Sequence, residues 1–378
     1  MPVLGVLGAG AMGSGIAQIA ATNGWEVQLI DINEEASISA RNKLQKILNR
    51  QVEKGRMTDL EVKGIMGRIY FGSSMTAFES ADLVIEAIIE NLDIKKKVFK
   101  SIEDIVNSDC ILATNTSSLS VTQIASSLDN PARMMGIHFF NPAPLMKLVE
   151  IIPAVQSENA IVLKAQSIIE NWGKYTVIAK DTPGFIVNKV ARPFYSESIK
   201  IYEEGIADIA TIDWVMTALG GFRMGPFTLT DYIGHDVNYK VTESVWKAFY
   251  YDDRYKPSFA QKSLVDAGYL GRKTGRGFYD YGANSIKPEP SKDSNKGTII
   301  LHRVLAMLIN EAADTVYMGI CSEEAVETAM TKGVNYPKGL LSWGNELGFE
   351  YIVQILDELY NRYHEERYRV SPWLRDRV

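Results

Sequence analysis

His138 and Glu150 carry the most chemistry in this sequence. Gly136-Ile137-His138-Phe139-Phe140-Asn141-Pro142 puts an ionisable imidazole at the end of an apolar run, just before a proline-enforced turn. Met146-Lys147-Leu148-Val149-Glu150-Ile151-Ile152 then sets a carboxylate inside a second apolar run. If the two runs pair as strands, the two side chains face each other. An imidazole backed by a carboxylate is a general base with an orienting acid. The bland alternative is a satisfied core histidine beside a strand-edge charge, and the surrounding elements must decide between them. Histidine occurs only four times in the chain, so competitors are few. His235 reads as a turn or capping residue, His302 as packing, and His364 as part of a polar helix.

The elements before His138 belong to a dinucleotide-binding fold. Val3 to Leu7 is short, apolar and β-prone, and Gly8-Ala9-Gly10-Ala11-Met12-Gly13 leads from it into a helix. In that G-x-G-x-x-G pattern Gly8 permits a tight turn and Gly10 lets a pyrophosphate approach the backbone. Gly13 lets the helix pack close to the strand, and the helix N-terminus meets the phosphate charge. The next strand, Glu26 to Ile30, ends in Asp31, 18 residues after Gly13. A carboxylate there binds both hydroxyls of an adenosine ribose and repels a 2′-phosphate, so the expected cofactor is NAD rather than NADP. Further strands run through Ala81–Ala87 and Ile111–Thr114, the second ending in Asn115-Thr116-Ser117-Ser118. Strand ends are where an open α/β sheet places its ligands, which favours Asn115 and Ser117 as contacts to nicotinamide and substrate. The same residues would also serve as a turn and a helix cap.

A last strand, Tyr175 to Ile178, leads to Asp181-Thr182-Pro183-Gly184, which marks a boundary. Beyond it the periodicity is helical, and Asn188 follows the junction closely enough to look back towards the His138 region. This half closes at Gly271-Arg272-Lys273-Thr274-Gly275-Arg276-Gly277-Phe278-Tyr279, and a polar linker runs from about Asn284 to Lys296. Helical sequence then begins again. Phe185–Thr217 aligns without a gap to Ile299–Thr331 at a constant offset of 114, with Ile186, Val190, Glu197, Gly205, Ile206, Met216 and Thr217 recurring identically. That is an internal repeat. Lys189 becomes Arg303, Asp213 becomes Glu327, and Asn188 becomes His302. The expected division is 1–182 (Rossmann-type α/β), 183–283 (all-α) and 297–378 (a second, degenerate all-α copy, to which no catalysis is assigned).

Composition narrows the class. A net charge of −6 disfavours nucleic acid and anionic membranes as partners. Two cysteines give neither a metal-ligand spacing nor a disulfide framework, so no metal and a reducing, cytoplasmic compartment are expected. No apolar run is long enough to span a bilayer, and Val3–Leu7 reads as a strand rather than part of a signal peptide. The helix opening at Asn33 carries Lys43, Lys46, Arg50, Lys54 and Arg56, either a solvated face or an arm that meets a phosphorylated substrate.

These residues together resemble the L-3-hydroxyacyl-CoA dehydrogenases. The resemblance rests on Gly8–Ala17, Asn115-Thr116-Ser117-Ser118-Leu119, Gly136–Pro142 and Pro183-Gly184-Phe185-Ile186-Val187-Asn188, and it covers residues 1 to about 282 in order. It implies NAD-dependent oxidation of (S)-3-hydroxyacyl-CoA to 3-oxoacyl-CoA, and the reverse. His138 would be the general acid/base and Glu150 its partner. Ser117 would hydrogen-bond the reacting oxygen, and Asn188 would help hold the site. Asp31, Glu90, Lys95 and Asn141 fall where the family contacts NAD, and Lys54 near where the arm meets the CoA phosphates. The duplicated helical region resembles longer members of the superfamily and suggests a monomer, the second copy covering the surface a partner would otherwise cover. Two alternatives stay open: another NAD-dependent hydroxyacid or sugar-nucleotide dehydrogenase of this architecture, or a non-catalytic NAD-binding relative.

Overall fold

The computed structural model describes Met1 to Val378, and the chain divides into two compact units, Met1–Thr182 and Pro183–Val378. No helix is long and apolar enough to cross a membrane.

The first unit is built on one eight-stranded sheet. Its strands are β1 (Val3–Leu7), β2 (Glu26–Ile30), β3 (Ile69–Gly72), β4 (Leu83–Glu86), β5 (Ile111–Thr114), β6 (Met134–Phe139), β7 (Leu148–Pro153) and β8 (Tyr175–Ile178). They lie in the order β3-β2-β1-β4-β5-β6-β7-β8. All neighbouring pairs are parallel except β6 and β7. The crossovers are α1 (Ala11–Thr22), α2 (Glu34–Glu53), α3 (Asp59–Gly67), α4 (Leu92–Glu103), α5 (Val121–Ala125) and α6 (Asn159–Asn171). β4 and β5 are wholly buried, as parallel strands covered by helices on both faces must be. The strand order reverses at β1, from which the chain moves outward through β2 to β3 and then returns to β4. That switch point leaves a crevice at the carboxyl ends of β1 and β4, the usual place for a ligand.

The second unit is helical. It contains α7 (Val187–Val190), α8 (Arg192–Glu203), α9 (Ile209–Trp214), α10 (Pro226–Ile233), α11 (His235–Ala248) and α12 (Phe259–Asp266). After the linker come α13 (Ser294–Tyr317), α14 (Glu323–Thr328), α15 (Leu340–Leu347), α16 (Phe349–Tyr363) and α17 (Pro372–Arg375). The repeat is visible in its hydrogen bonds. Asp213 accepts from the N–H groups of Phe227 and Thr228 at 2.9 Å each, and Glu327 does the same at Leu341 and Ser342, at 2.8 and 3.1 Å. All three positions differ by the same offset. Each carboxylate thus caps the helix that follows it, α10 or α15, where four N–H groups lack helical partners.

The two copies lie within one unit and exchange buried charges in a reciprocal pattern. Lys189 of the first donates to Glu311 of the second at 2.6 Å, and Arg303 of the second to Glu197 of the first at 2.6 Å. Tyr255 donates to Glu311 and Tyr368 to Glu197, at 2.6 and 3.0 Å. Arg254-Tyr255 and Arg367-Tyr368 extend the repeat beyond the expected range, at an offset of 113. Where α13 is one helix of 24 residues, the first copy is broken into α7 and α8. Pro193 stands in the first turn of α8, aligned with Met307 in the middle of α13, and a proline cannot occupy a helix interior without losing a hydrogen bond.

Candidate active site

At the switch point the glycines are required by close approach. Gly8 has φ +105, and a Cβ there would lie 2.6 Å from the Ala87 carbonyl oxygen. A Cβ on Gly13 would fall 1.8 Å from the Gly8 oxygen, so any other residue would push α1 off β1. Gly10 differs: a Cβ there meets no protein atom within 4 Å. It faces open space before the N-terminus of α1, where no side chain caps the free N–H groups and a phosphate would be held. Ala11 and Met12 form the first turn of that helix. Asp31 Oδ2 accepts from Ala9 N–H at 2.8 Å and Oδ1 from Asn33 N–H at 3.1 Å, which locks the acid against the loop. A cavity of about 540 Å³ opens here, lined by Gly8, Gly10, Asp31, Ile32, Ile88 and Ile89 among others. Its apolar walls with one carboxylate suit an adenosine, so the residues fit NAD.

Beyond β4 a chain of charges links the predicted contacts. Glu90 accepts from Thr116 Oγ1 at 2.5 Å, Ser117 N–H at 3.0 Å and Ser118 Oγ at 3.0 Å. Burial opposes its ionisation, but Lys95 and these donors outweigh that and hold its pKa below the ordinary glutamate range. Lys95 is buried, with Nζ 2.5 Å from Glu86 and 3.4 Å from Glu90. Its amine is committed to these carboxylates, so its direct effect here is on the placement of Glu90. Glu86 escaped the sequence reading. It is fully buried, accepts from Ile88 N–H and Thr114 Oγ1 at 2.7 Å each, and ties β4 to β5. The available signal was an acid ending the apolar run Leu83-Val84-Ile85, with a lysine nine positions on.

β6 and β7 pair antiparallel in a register that sets His138 opposite Glu150. His138 Nδ1 stands 2.7 Å from Glu150 Oε2, and both side chains are buried. The Phe140 ring lies 4.5 Å from the imidazole, centroid to centroid. Asn115 accepts from Phe139 N–H at 2.8 Å, joining the end of β5 to the end of β6. Ser117 is half-buried two residues further on, its N–H held by Glu90. Asn141 is exposed in the loop after β6. Lys174 pins that loop by donating to the carbonyls of Ala143 and Met146 at 2.7 Å each, and burial brings its ammonium down to about 8. Sequence reasoning gave no sign of this contact, which joins residues about 30 positions apart.

Two predicted residues lie elsewhere. Lys54 is exposed at the C-cap of α2. Asn188 is carried by α7 in the second unit. Of the other histidines, His235 departs from the turn or capping role expected of it. It opens α11 but is fully buried, with Nε2 2.7 Å from Asp231 Oδ1. His302 Nδ1 lies 3.0 Å from the Tyr351 hydroxyl, and His364 ends α16 in the left-handed region.

A glycine loop facing open space, an acid at the end of the second strand and an imidazole–carboxylate pair across β6 and β7 define a dinucleotide-dependent oxidoreductase. The family model "3-hydroxyacyl-CoA dehydrogenase, NAD binding domain" matches residues 3–182, and the C-terminal domain model of the same family matches 184–281 and again 299–378. The chain belongs to the 3-hydroxyacyl-CoA dehydrogenase family and is an NAD-dependent enzyme of that class. It is 35% identical to the 3-hydroxyadipyl-CoA dehydrogenase of Escherichia coli (strain K12), over 99% of this chain and 96% of that protein. It is 43% identical to a probable 3-hydroxybutyryl-CoA dehydrogenase of Bacillus subtilis (strain 168), over 73% of this chain and 96% of that one. The crystal structure of a 3-hydroxybutyryl-CoA dehydrogenase from Escherichia coli K12 superposes with a TM-score of 0.95 at 35% identity, covering 100% of this chain and 98% of that one.

Proposed function

We propose that His138 is the general acid/base for oxidation of (S)-3-hydroxyacyl-CoA, with Glu150 as its orienting partner. Neutral His138 takes the proton of the 3-hydroxyl as C3 gives up hydride. In the reverse direction the imidazolium returns it to the 3-keto oxygen. Bound NAD supplies the hydride acceptor. Glu150, at Nδ1, fixes the tautomer that leaves Nε2 for the substrate and stabilises the imidazolium. Ser117 donates to the reacting oxygen, and Asn188 helps hold the substrate. Gly8, Gly10, Ala11, Met12 and Gly13 hold the pyrophosphate, Asp31 the adenosine ribose, and Glu90, Asn115 and Asn141 the nicotinamide end, with Lys95 behind Glu90. Lys54 and its basic neighbours on α2 meet the CoA phosphates. The observation that carries this reading is the 2.7 Å bond between His138 and Glu150 across β6 and β7.

Initial rates test it. (S)-3-Hydroxybutyryl-CoA is expected to be oxidised with NAD far faster than free 3-hydroxybutyrate, and a thioester series including dicarboxylyl chains ranks the acyl groups. Equal rates with and without CoA would favour a hydroxyacid dehydrogenase instead. Failure of acetoacetyl-CoA to support NADH oxidation would favour a non-catalytic relative.

We further infer a cytoplasmic monomer. The reciprocal pairs Lys189–Glu311 and Arg303–Glu197 are what a two-fold interface would make, formed within one chain. Light scattering at the mass of one chain supports this, and a stable dimer joined through residues 185–280 overturns it. Two cysteines that offer no disulfide framework suit a reducing compartment.

A further inference from the structure

Lys189 is the residue after Asn188, and it is fully buried. Its Nζ donates to Glu311 Oε1 at 2.6 Å and Thr315 Oγ1 at 3.0 Å, with Asp314 Oδ2 at 3.7 Å. All three partners lie on α13, in the second copy. Burial opposes ionisation of Glu311, but Lys189 and Arg254 outweigh it and keep its pKa low. The charge of a buried lysine in the first copy is therefore balanced by the second, and a buried charge without its partner is strongly unfavourable.

The segment that carries Asn188 is one helical turn, joined to α8 through Ala191 and closed by backbone bonds from Lys189 N–H to Gly184 at 3.2 Å and from Val190 N–H to Ile186 at 2.8 Å. α7 is too short to be stable alone. It follows Gly184 at φ +77 and Phe185 at φ +48, and a bulky side chain in the left-handed region persists only where surrounding structure imposes it. The aligned stretch of the second copy needs no such support, because His302 and Arg303 sit inside the continuous helix α13. Arg303 makes the reciprocal pair with Glu197 at 2.6 Å and reaches Glu204 at 2.8 Å.

We propose that Glu311 is a positioning residue for the reaction: through Lys189 it fixes α7 and so Asn188, and the second helical copy takes part in turnover by the first. The proposal rests on the role of Asn188 stated above.

A double-mutant cycle tests it, in the full chain, with acetoacetyl-CoA reduction by NADH as the assay. Glu311→Gln is expected to lower kcat per folded molecule about tenfold, since a small misplacement of a positioning group is costly, with the KM for NADH unchanged. Glu311→Asp, which keeps the charge, is expected to recover part of the loss, and it carries the cycle if Glu311→Gln does not fold. Glu197→Gln breaks the reciprocal pair. It is expected to lower the thermal midpoint similarly while leaving kcat within about twofold, a contrast that a general loss of stability would not produce. In an Asn188→Ala background, Glu311→Gln is expected to cost less than about twofold more. If Asn188→Ala alone has wild-type kcat, the role of Asn188 falls and this proposal with it. If Asn188→Ala is slow but Glu311→Gln leaves kcat unchanged, or multiplies the Asn188 effect in full, this proposal alone is overturned. An equal kcat loss in Glu197→Gln would overturn it too.

Discussion

Two histidines of this chain stand 2.7 Å from a carboxylate oxygen, and their surroundings give them different work. His138 meets Glu150 through Nδ1, across two antiparallel strands. His235 meets Asp231 through Nε2, four residues away at the junction of α10 and α11. Asp231 is also the anchor of the closing loop. It accepts from Phe278 and Tyr279 N–H at 2.9 Å each and from the Tyr281 hydroxyl at 3.0 Å. A Cβ on Gly277 would lie 2.0 Å from the Asp231 carboxylate and one on Gly271 2.2 Å from the Asp231 carbonyl oxygen, so only glycine lets the loop pack this close at those two positions. Gln261 Nε2 lies 3.4 Å from the other nitrogen of His235, and the Phe278 ring packs against the imidazole edge-on. Every polar atom of that pair is bound to the fold. Distance alone does not tell the two dyads apart. Their settings do: one ends a strand of the sheet whose other strands carry the glycine loop and Asp31, and the other ties a loop to two helices.

The sharpest way to break this contrast is to exchange one member of each pair for an amide. His138→Gln is expected to lower kcat by ~10²–10⁴-fold, the usual contribution of general acid–base catalysis, with NAD affinity and thermal midpoint little changed. Near-normal turnover would make the two pairs alike. Asp231→Asn is expected to do the converse. Neutralising one partner of a buried pair, with one of its two backbone donors left without an acceptor, should cost about 3 kcal/mol of stability by denaturant unfolding, while kcat per folded molecule is retained. A variant that is stable but inactive would show that the second dyad also serves the reaction. Ser117→Ala is expected to lower kcat/KM for the thioester about tenfold, the size of one hydrogen bond made in the transition state. A fall confined to NAD binding would instead assign Ser117 to the cofactor.

The first dyad was legible because its determinants are local. Two short apolar runs on either side of a proline turn read as neighbouring strands, and the register in which they pair sets His138 opposite Glu150. The glycine loop and Asp31 were legible for the same reason. Asp231 was not, because its donors lie 47 to 50 positions away in a loop whose geometry a sequence does not display. The repeat was read only to Thr331, although the offset of 114 persists to Leu341 and Ser342; a later one-residue shift puts Arg367-Tyr368 out of step with Arg254-Tyr255 and hides the last of the reciprocal contacts. The break between α7 and α8 could have been read from Pro193, whose aligned position in the second copy is a methionine.

A third carboxylate offers the smallest and most specific test. Glu90 holds hydroxyl and N–H donors of Thr116, Ser117 and Ser118, and its pKa lies below the usual glutamate value. For an acid shifted that way, the unfolded state takes up protons first as pH falls. The stabilisation is therefore complete above the unfolded glutamate pKa and is lost as pH falls through the lower folded value. Glu90→Gln removes this term, so the acid limb of its stability profile should be flatter than that of the wild type. The KM for NAD should rise a few fold, because Thr116, Ser117 and Ser118 lose a charged acceptor and Lys95 keeps only Glu86. His138 would keep its partner, so kcat at saturating NAD should change little. A large loss of kcat would mean that Glu90 acts on the proton transfer as well as on the cofactor, and the site would then contain two working carboxylates rather than one.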